Sequence, residues 1–401
     1  MHTETVPTLR AAHRQRTTLI GLMFLGFISL GLPDGLLGVA WPSIAASRLV
    51  GLEALGALLV ASSAGYLTAS VFSGQLLARL GVGVLLAASC ATTALSLIGI
   101  ALVPSWWLLL GFAITLGAGG GAIDAGLNTY AAATSGPRVL TWLHACFGVG
   151  ATAGPAMMTA LLSVGRPWEL GYLLVGGGQL VLAGCFAFTR ERWAVGGQRA
   201  TEPRAPTAGP TLRATLTLPA VWLSALVFLL YTGLEVTVGQ WSYSLFTIGR
   251  GVNPTQAGAW ISLYWFGLTA GRFVVGAVAH RVRPGTLLWL GALGALAGAL
   301  LIGLVPAAWA SVSGLMLVGL SLAPIFPALI ATTAARVGVA HAVNTIGLQV
   351  ACAGAGAALI PWVIGQGVAV AGPPVIAPAI VATAGAYLLL FAGTDGAART
   401  P

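Results

Sequence analysis

The sequence has little charge and no lysine. Charged residues make up 7% of its 401 residues, whereas a typical soluble domain has roughly 25%. So few charges cannot cover a folded surface in water, which excludes an ordinary soluble protein. Hydrophobic residues make up 57% of the chain and the mean hydropathy is +0.93, which indicates a protein embedded in a membrane.

Cysteine is also scarce. Cys90, Cys146, Cys185 and Cys352 each lie inside an apolar run, without C-x-x-C spacing. This placement favours small buried side chains over a disulfide framework or a metal site. The net charge of +9 comes from arginines spread over short loops without stacking aromatic residues. We therefore expect no metal site and no nucleic-acid partner.

Long apolar runs are what the sequence does contain. A helix needs about 20 apolar residues to cross the hydrocarbon core of a bilayer. By that measure the sequence predicts an all-α membrane protein with twelve transmembrane helices. The predicted spans are Thr17–Ala45, Leu52–Leu77, Val82–Val103, Trp106–Thr134, Val139–Val164, Trp168–Phe188, Pro219–Phe246, Thr255–Ala279, Gly285–Val305, Ala307–Ala334, Ala342–Val370 and Val375–Ala392.

The arginines fall mainly in alternate gaps between these runs. Positive side chains near the ends of a span favour the cytoplasmic side. With a cytoplasmic N-terminus, fourteen arginines are cytoplasmic: Arg10, Arg14, Arg16, Arg79, Arg138, Arg190, Arg192, Arg199, Arg204, Arg213, Arg281, Arg283, Arg336 and Arg399. Arg48, Arg166 and Arg250 lie outside, and Arg272 lies within a span. We therefore predict a multi-pass protein of the cell inner (plasma) membrane with both termini in the cytoplasm, and we expect a monomer.

The two halves of the chain repeat one another. Gly65, Gly74 and Arg79 recur 202 residues later as Gly267, Gly276 and Arg281, and Leu143, His144, Gly148, Gly150 and Pro155 are echoed by Leu348, Gln349, Gly354, Gly356 and Pro361. We predict two pseudo-symmetric six-helix bundles, residues 1–189 and 219–401, joined by a poorly ordered cytoplasmic linker, residues 190–218. Such parallel repeats are typical of transporters with a midplane site between the halves.

Several motifs resemble a known family. The stretch Gly74 to Gly81 (GQLLARLG) is similar to the loop signature G-x-L-x-D-R-x-G of the major facilitator superfamily, with Ala78 at the acidic position and His280 there in the second copy. Further stretches resemble its fucose-permease-like branch of sugar:proton symporters: Gly31–Pro42, Leu143–Pro155, Gly319–Pro327 and Gly347–Pro361. The resemblance implies the superfamily's fold and proton-linked sugar transport. It implies coupling and substrate contact for Asp34 and Asp124, and gating for Arg79 and Arg281.

Three acids lie within the spans: Asp34, Asp124 and Glu235. A carboxylate there costs several kcal/mol unless it faces a cavity, a partner or a functional pathway. We predict that all three face a central cavity, couple protons and contact substrate. The alternatives are structural: Asp34 is satisfied by backbone groups at Pro33, Asp124 takes part in a hydrogen bond that ties the fourth span to a neighbour through Asn128, and Glu235 is clamped to Arg272. Arg272 itself is interpreted as a gate or packing residue.

Other polar and aromatic residues of the spans complete the candidate substrate site. His144 can relay protons near neutral pH, or it is a hydrogen-bonded core histidine. The aromatic residues can form stacking walls for a sugar ring or an apolar solute. With the three acids, the predicted substrate-binding set is Trp41, Asn128, His144, Tyr231, Trp241, Tyr264, Trp265, Phe326 and Gln349. The glycines between Gly117 and Gly121 are interpreted as sites of close helix packing.

These features together favour a secondary active transporter that moves a small polar, sugar-like solute by alternating access, as a proton-coupled symporter. An alternative is efflux of an amphiphilic compound by proton antiport. A distant alternative, an intramembrane enzyme built on Asp34, Asp124 and His144, lacks a nucleophile–base pair, and we expect no enzyme. We expect no cofactor, with H⁺ as the coupling ion and Na⁺ as the alternative.

Overall fold

Helices make up most of the residues that the structure, a computed structural model, describes: 5–135, 137–193, 210–278 and 281–397. Within these ranges the α-helices are α1 Thr5–Arg48, α2 Ala54–Leu102, α3 Trp106–Thr134, α4 Pro137–Ser163, α5 Trp168–Thr189, α6 Leu212–Leu216, α7 Pro219–Ser244, α8 Pro254–Val278, α9 Pro284–Leu304, α10 Ala308–Leu322, α11 Ile325–Val337, α12 Ala342–Ala371 and α13 Ile376–Ala397. Linker residues 194–209, His280, Arg399 and the side chains of Arg10, Arg14 and Arg138 lie outside this description. Helices predominate because lipid offers the backbone no hydrogen-bond partner.

The twelve predicted spans are confirmed, with two differences in how they are divided. The 49-residue α2 carries the second and third spans, which meet at Gly81, where φ is 73° and ψ is 163°. This left-handed conformation suits glycine, which has no Cβ to clash. The tenth span, predicted as one helix, is divided into α10 and α11 at Ala323–Pro324. Pro324 supplies no backbone N–H, so the helical ladder is interrupted there.

The ends of the linker are ordered, contrary to the prediction for the whole segment. Residues Arg190–Trp193 form a short 3₁₀ turn after α5. Trp193 is buried against Tyr130 and Phe186, and its Nε1 donates to Thr189 Oγ1 at 3.0 Å. The gain from burying a large aromatic ring explains the order at this end.

Helices α1–α5 and helices α7–α13 form the two pseudo-symmetric bundles. The symmetry extends to single contacts: α1 meets α4 where Gly31 lies against the Phe147 carbonyl and Gly150 against the Ile28 carbonyl. The matching pair, α7 and α12, meets where Gly356 lies against the Leu229 carbonyl and Gly233 against Ile360. The domain boundaries at 189 and 219 stay a prediction.

Two arginines hold matching positions at one end of the bundles. Arg48 donates to the carbonyl of Ala101 at 3.2 Å and lies over Trp168. Arg250, 202 residues later, donates to the carbonyl of Ile302 and lies over Phe246. In each bundle an arginine therefore satisfies a helix C-terminus, where a positive charge is also favoured by the helix dipole.

The bundles meet towards both ends of the molecule, and towards one of them the rings of Trp142 and Phe273 are in contact, 5.4 Å between centroids. We call one end the linker side (residues 190–193, 210–218, 338–341 and the Gly81 bend) and the other the opposite side (residues 49–53, 103–105, 164–167, 250–253, 305–307 and 372–375). Towards the opposite side, a Cβ at Gly38 would lie 2.6 Å from the Gly239 carbonyl, and one at Gly56 would lie 2.6 Å from Trp362 Cα. These contacts between bundles form the opposite-side gate, which is closed in this structure.

Candidate functional site

Asp34 lies midway along α1, directly after Pro33. Because proline has no N–H, the Ser29 carbonyl lacks its helical donor, and Gln179 Nε2 donates to it at 3.1 Å instead. The Asp34 side chain is solvent-exposed, although Leu36 two residues on is fully buried. No hydrogen bond or ion pair from a described residue holds its carboxylate. The predicted alternative, satisfaction by backbone at Pro33, is therefore absent from the described contacts.

Asp124 is held from two sides. Tyr66 Oη of α2 donates to Asp124 Oδ2 at 2.6 Å, and Asn128 Nδ2, one turn along α3, donates to Oδ1 at 2.9 Å. His144 of α4 is solvent-exposed and close enough to interact electrostatically with Asp124. Its ring packs edge-on against Phe27, 5.4 Å between centroids. Asp124 thus accepts hydrogen bonds from α2 and α3 and interacts electrostatically with His144 of α4.

Glu235 is surrounded by partners from its own bundle. Tyr231 Oη, one turn earlier on α7, donates to Glu235 Oε2. An Arg272 guanidinium nitrogen lies 3.6 Å from Oε1, and the two side chains are 25% and 12% exposed respectively. Tyr264 Oη donates to the main-chain carbonyl of Glu235 at 2.8 Å. The predicted clamp between Glu235 and Arg272 is present, and both groups still reach solvent.

The three acids lie in one region between the bundles. The carboxylate of Asp34 in the first bundle interacts electrostatically with that of Glu235 in the second. His144 in the first bundle interacts in the same way with Arg272 in the second. Side chains from α1, α2, α3, α4, α7 and α8 therefore converge, and we call this region the central chamber: Asp34, Tyr66, Asp124, His144, Glu235 and Arg272. Since the opposite-side gate is closed, we infer that solvent reaches Asp34 from the linker side.

The remaining candidate residues divide into two groups. Phe326 of α11 is 37% exposed and its ring lies 6.5 Å from that of Tyr231, which places it beside the Glu235 cluster. Trp41, Trp241 and Trp265 are buried near the opposite-side gate. Trp41 Nε1 donates to the Leu52 carbonyl, and Trp241 Nε1 donates to the Pro361 carbonyl. These tryptophans are closed off from the chamber in this conformation.

The matched positions His144 and Gln349 have different surroundings. His144 faces the chamber, whereas Gln349 is fully buried inside the second bundle. There it accepts from Thr333 Oγ1 at 3.0 Å and donates to Ser224 Oγ. In this structure Gln349 joins α7, α11 and α12, away from the predicted substrate site.

The predicted gating arginines lie at different depths. Arg79 is exposed at the linker side, two residues before the Gly81 bend, and Arg281 is exposed in the turn before α9. Arg272 lies deeper, on α8 within the chamber. Among the described residues no group of three or more His, Cys, Asp or Glu is placed to hold a metal ion.

Two residues of this region were missed from the sequence. Tyr66 supplies the shortest contact to Asp124, and Gln240 of α7 donates to the Asp34 carbonyl at 2.9 Å. A polar side chain in the middle of an apolar run was the available signal for both. Their partners lie on other helices, and no spacing along the chain reveals those pairings.

Comparison with known proteins identifies the family. A sequence model described as the Major Facilitator Superfamily matches residues 23–361, most of the chain. The chain belongs to the Major Facilitator Superfamily.

Relatives and solved structures of the superfamily agree with this assignment. The chain is 25% identical to the mouse protein named sodium-dependent glucose transporter 1A over 306 residues, covering 68% of this chain and 72% of that protein. It is 24% identical to the zebrafish sodium-dependent glucose transporter 1, covering 75% of this chain and 56% of that protein. A mutant of the nucleoside transporter NupG has the same fold, with a TM-score of 0.79 at 13% identity, over 94% of this chain and 99% of that one. This chain is thus similar in sequence and in fold to membrane transporters, not enzymes.

Membership of the Major Facilitator Superfamily fits the position of the degraded loop signature. Its last residue, Gly81, provides the bend between the second and third spans. Arg79 lies beside that bend at the linker side. The fold, the multi-pass topology and the role of membrane transporter for a small molecule therefore follow from sequence and structure together.

Proposed function

We propose that this transporter takes up a small, hydroxyl-rich, sugar-like solute together with protons, by alternating access of the central chamber. The observation that carries the proposal is the exposed, unpartnered carboxylate of Asp34 in the middle of a membrane span. Among the three intramembrane acids it is the one without a hydrogen bond or counter-ion from the described residues. Asp124 and Glu235 are both held.

An unpartnered carboxylate suits a proton carrier. Its charge is stable while water reaches it, and it becomes costly once the chamber closes around it. Taking up a proton removes that cost, so closure is favoured when Asp34 is protonated. The neighbouring charge of Glu235 adds repulsion that protonation of Asp34 relieves. Proton binding and the change of access are coupled in this way.

The two other acids suit recognition of hydroxyl groups. Sugar hydroxyls both donate and accept hydrogen bonds, and each acid carries donors beside its acceptor oxygens: Tyr66 and Asn128 at Asp124, Tyr231 and Arg272 at Glu235. The exposed ring of Phe326 offers an apolar surface for the other face of the solute. The names of the mouse and zebrafish relatives support a sugar as solute and make Na⁺ the competing coupling ion.

The direction of transport depends on how the protein is oriented in the membrane. The arginine distribution supports a cytoplasmic linker side, and the proposed location is the plasma membrane. The chamber in this structure then opens to the cytoplasm, which is the state in which a symporter releases its solute. Proton-linked uptake requires the opposite-side gate to open for loading.

Transport by purified protein in liposomes tests the proposal. Candidate hexoses are offered under an imposed proton gradient or, separately, a Na⁺ gradient, while solute accumulation and internal pH are followed. We expect proton influx together with sugar accumulation, and loss of both in Asp34→Asn. The matched control is Glu169→Gln, which neutralises an acid at the opposite-side start of α5 and leaves transport unchanged.

The other outcomes are also informative. Accumulation driven by a Na⁺ gradient alone would overturn the proposal that H⁺ is the coupling ion. Solute leaving against proton influx would assign efflux by antiport. Coupled accumulation at the wild-type rate in Asp34→Asn would remove Asp34 from the mechanism.

A further inference from the structure

We propose that Gln240 is the positioning residue that holds the opposite-side gate closed, through its hydrogen bond to the main chain of Asp34. The inference follows from the superfamily's fold and goes beyond the proposed function, because it requires no particular solute or coupling ion. Gln240 belongs to α7 in the second bundle, and its Nε2 donates to the Asp34 carbonyl of α1 in the first, at 2.9 Å.

The bond lies at a close contact between the two bundles on this side. Gly38, one turn after Asp34, faces Gly239 and Gln240, and a Cβ there would lie 2.6 Å from the Gly239 carbonyl and 3.1 Å from Gln240 Cα. The Gln240 side chain is 3% exposed, so water does not compete for its amide. Opening the gate separates α1 from α7 and must therefore break this bond.

Among the described residues, one other side-chain hydrogen bond joins the bundles, between Thr152 Oγ1 of α4 and Thr269 Oγ1 of α8 at 3.4 Å. Thr237 and Ser244 lie on the same face of α7 as Gln240 and are fully buried, yet their hydroxyls have no partner among the described residues. The Gln240 Oε1 atom also lacks one. These atoms contribute no described hydrogen bond to the closed state. Among the described residues, the bond from Gln240 is therefore the side-chain hydrogen bond that joins α1 to α7 at this gate.

The acceptor lies on a weakened part of α1. Pro33 and Pro42 lack the N–H groups that would bond to the carbonyls of Ser29 and Gly38. Two glutamines from different bundles bond to the main chain of this part of α1. Gln179 of α5 bonds to Ser29 within the first bundle, and Gln240 of α7 bonds to Asp34 across the interface. Each glutamine has a buried Oε1 without a described partner.

This pair provides a matched test. Gln240→Glu keeps the size of the side chain, but the ionised carboxylate has no proton to donate and faces a carbonyl oxygen in a dry interface. Gln179→Glu makes the same change at the same kind of bond within one bundle. Acidification protonates the introduced carboxyl, which can then donate again. We expect Gln240→Glu to open the gate at pH about 8 and to close it at pH about 5.

The readout is the distance between spin labels at Val164→Cys, directly after α4, and at Val370→Cys, in the last turn of α12. Both positions are exposed on the opposite side, and the background lacks the native cysteines. A second pair, at Leu80 and Val343, reports on the linker side. Measurements are made in lipid without solute or gradient. At the higher pH we expect the ratio of open to closed opposite-side gates to rise more than about tenfold in Gln240→Glu, and to stay at the wild-type value in Gln179→Glu.

Other titratable groups near the gate are controlled for. Asp34 on α1, Glu235 on α7 and Glu53 before α2 lie close to it, so the wild type is measured at both pH values. The proposal is overturned if Gln240→Glu keeps the wild-type distances at the higher pH. It is also overturned if Gln179→Glu shifts them equally, or if acidification fails to reverse the shift.

A second variant keeps the test decisive if Gln240→Glu does not fold. Gln240→Asn is neutral but too short to reach the Asp34 carbonyl, and we expect it to raise the open fraction by about two- to tenfold. An unchanged open fraction would overturn the proposal. Failure of proton coupling in the liposome experiment would leave these distances unaffected, so the two proposals can fail separately.

Discussion

A carboxylate within a bilayer persists only where its charge is compensated, and the three intramembrane acids of this chain are compensated in different ways. Asp34 is solvent-exposed, Asp124 has a phenol and an amide, and Glu235 has a phenol and a guanidinium. The cost of charge in lipid is the reason why the sequence predicts that all three face a cavity. Their partners depend on how neighbouring helices are rotated, which is why Tyr66 was missed.

Removal of the Tyr66 hydroxyl tests the contact with Asp124. A hydrogen bond to a charged group contributes about 1.5–3 kcal/mol, so we expect Tyr66→Phe to raise the KM for solute uptake at least about tenfold. Tyr130→Phe is the control, because Tyr130 packs against Trp193 near the linker. An unchanged KM in Tyr66→Phe would exclude a role of this contact in solute recognition.

The ion pair between Glu235 and Arg272 can be tested through stability. Removing one member leaves the other charge uncompensated within the membrane, and we expect Glu235→Gln or Arg272→Gln each to cost about 2 kcal/mol. That is below the 3–5 kcal/mol typical of fully buried pairs, because Arg272 is 25% exposed. The double variant should recover part of the loss in thermal unfolding. Strictly additive losses would show that the pair is not coupled.

At the scale of helices, close packing depends on small residues. The glycines of α3 predicted to allow close approach do so on two sides. Gly117 and Gly121 face the carbonyls of Ser62 and Tyr66 in the second span, and Gly119 faces Thr93 in the third. The repeated glycines made this close packing of α3 predictable from the sequence. The break at Pro324 was not predicted, because an apolar run continues through it and proline is common in membrane helices.

Substitution at Gly117 tests the packing of α3. A Cβ there would collide with the Ser62 carbonyl, whereas nothing lies within 4 Å of a Cβ at Gly111 in the same helix. We expect Gly117→Ala to lower the midpoint of thermal unfolding by several degrees, about 1–3 kcal/mol of overpacking. Gly111→Ala should leave it unchanged or raise it slightly. Equal midpoints for the two variants would contradict the close approach of α2 and α3.

For the whole molecule, the pattern of spans and the twofold repeat were predictable, since span length and glycine spacing are local properties of the chain. The side of the membrane to which the chamber opens was not predictable from the sequence. Which gate is closed depends on small differences among contacts between bundles, such as those of Gly38 and Gly56, and alternating access requires these differences to be reversible.

The orientation in the membrane is open to direct test. Single cysteines are introduced at Leu212→Cys on the linker side and at Val370→Cys on the opposite side, both exposed, in a background without native cysteines. In intact cells a membrane-impermeant thiol reagent should label the second position and leave the first unlabelled until the membrane is permeabilised. Labelling of position 212 in intact cells would invert the proposed orientation.

The matching arginines that follow the first spans of the two bundles also affect the net charge of the opposite-side surface. Arg48 and Arg250 direct their charges at helix carbonyls and aromatic rings. Of the three arginines on the opposite side, Arg166 alone lacks a described side-chain hydrogen bond, and Glu53 and Glu169 share that surface. The opposite-side surface therefore carries three arginines against two acids, which is a small net positive charge. Such a surface presents little electrostatic barrier to an uncharged solute.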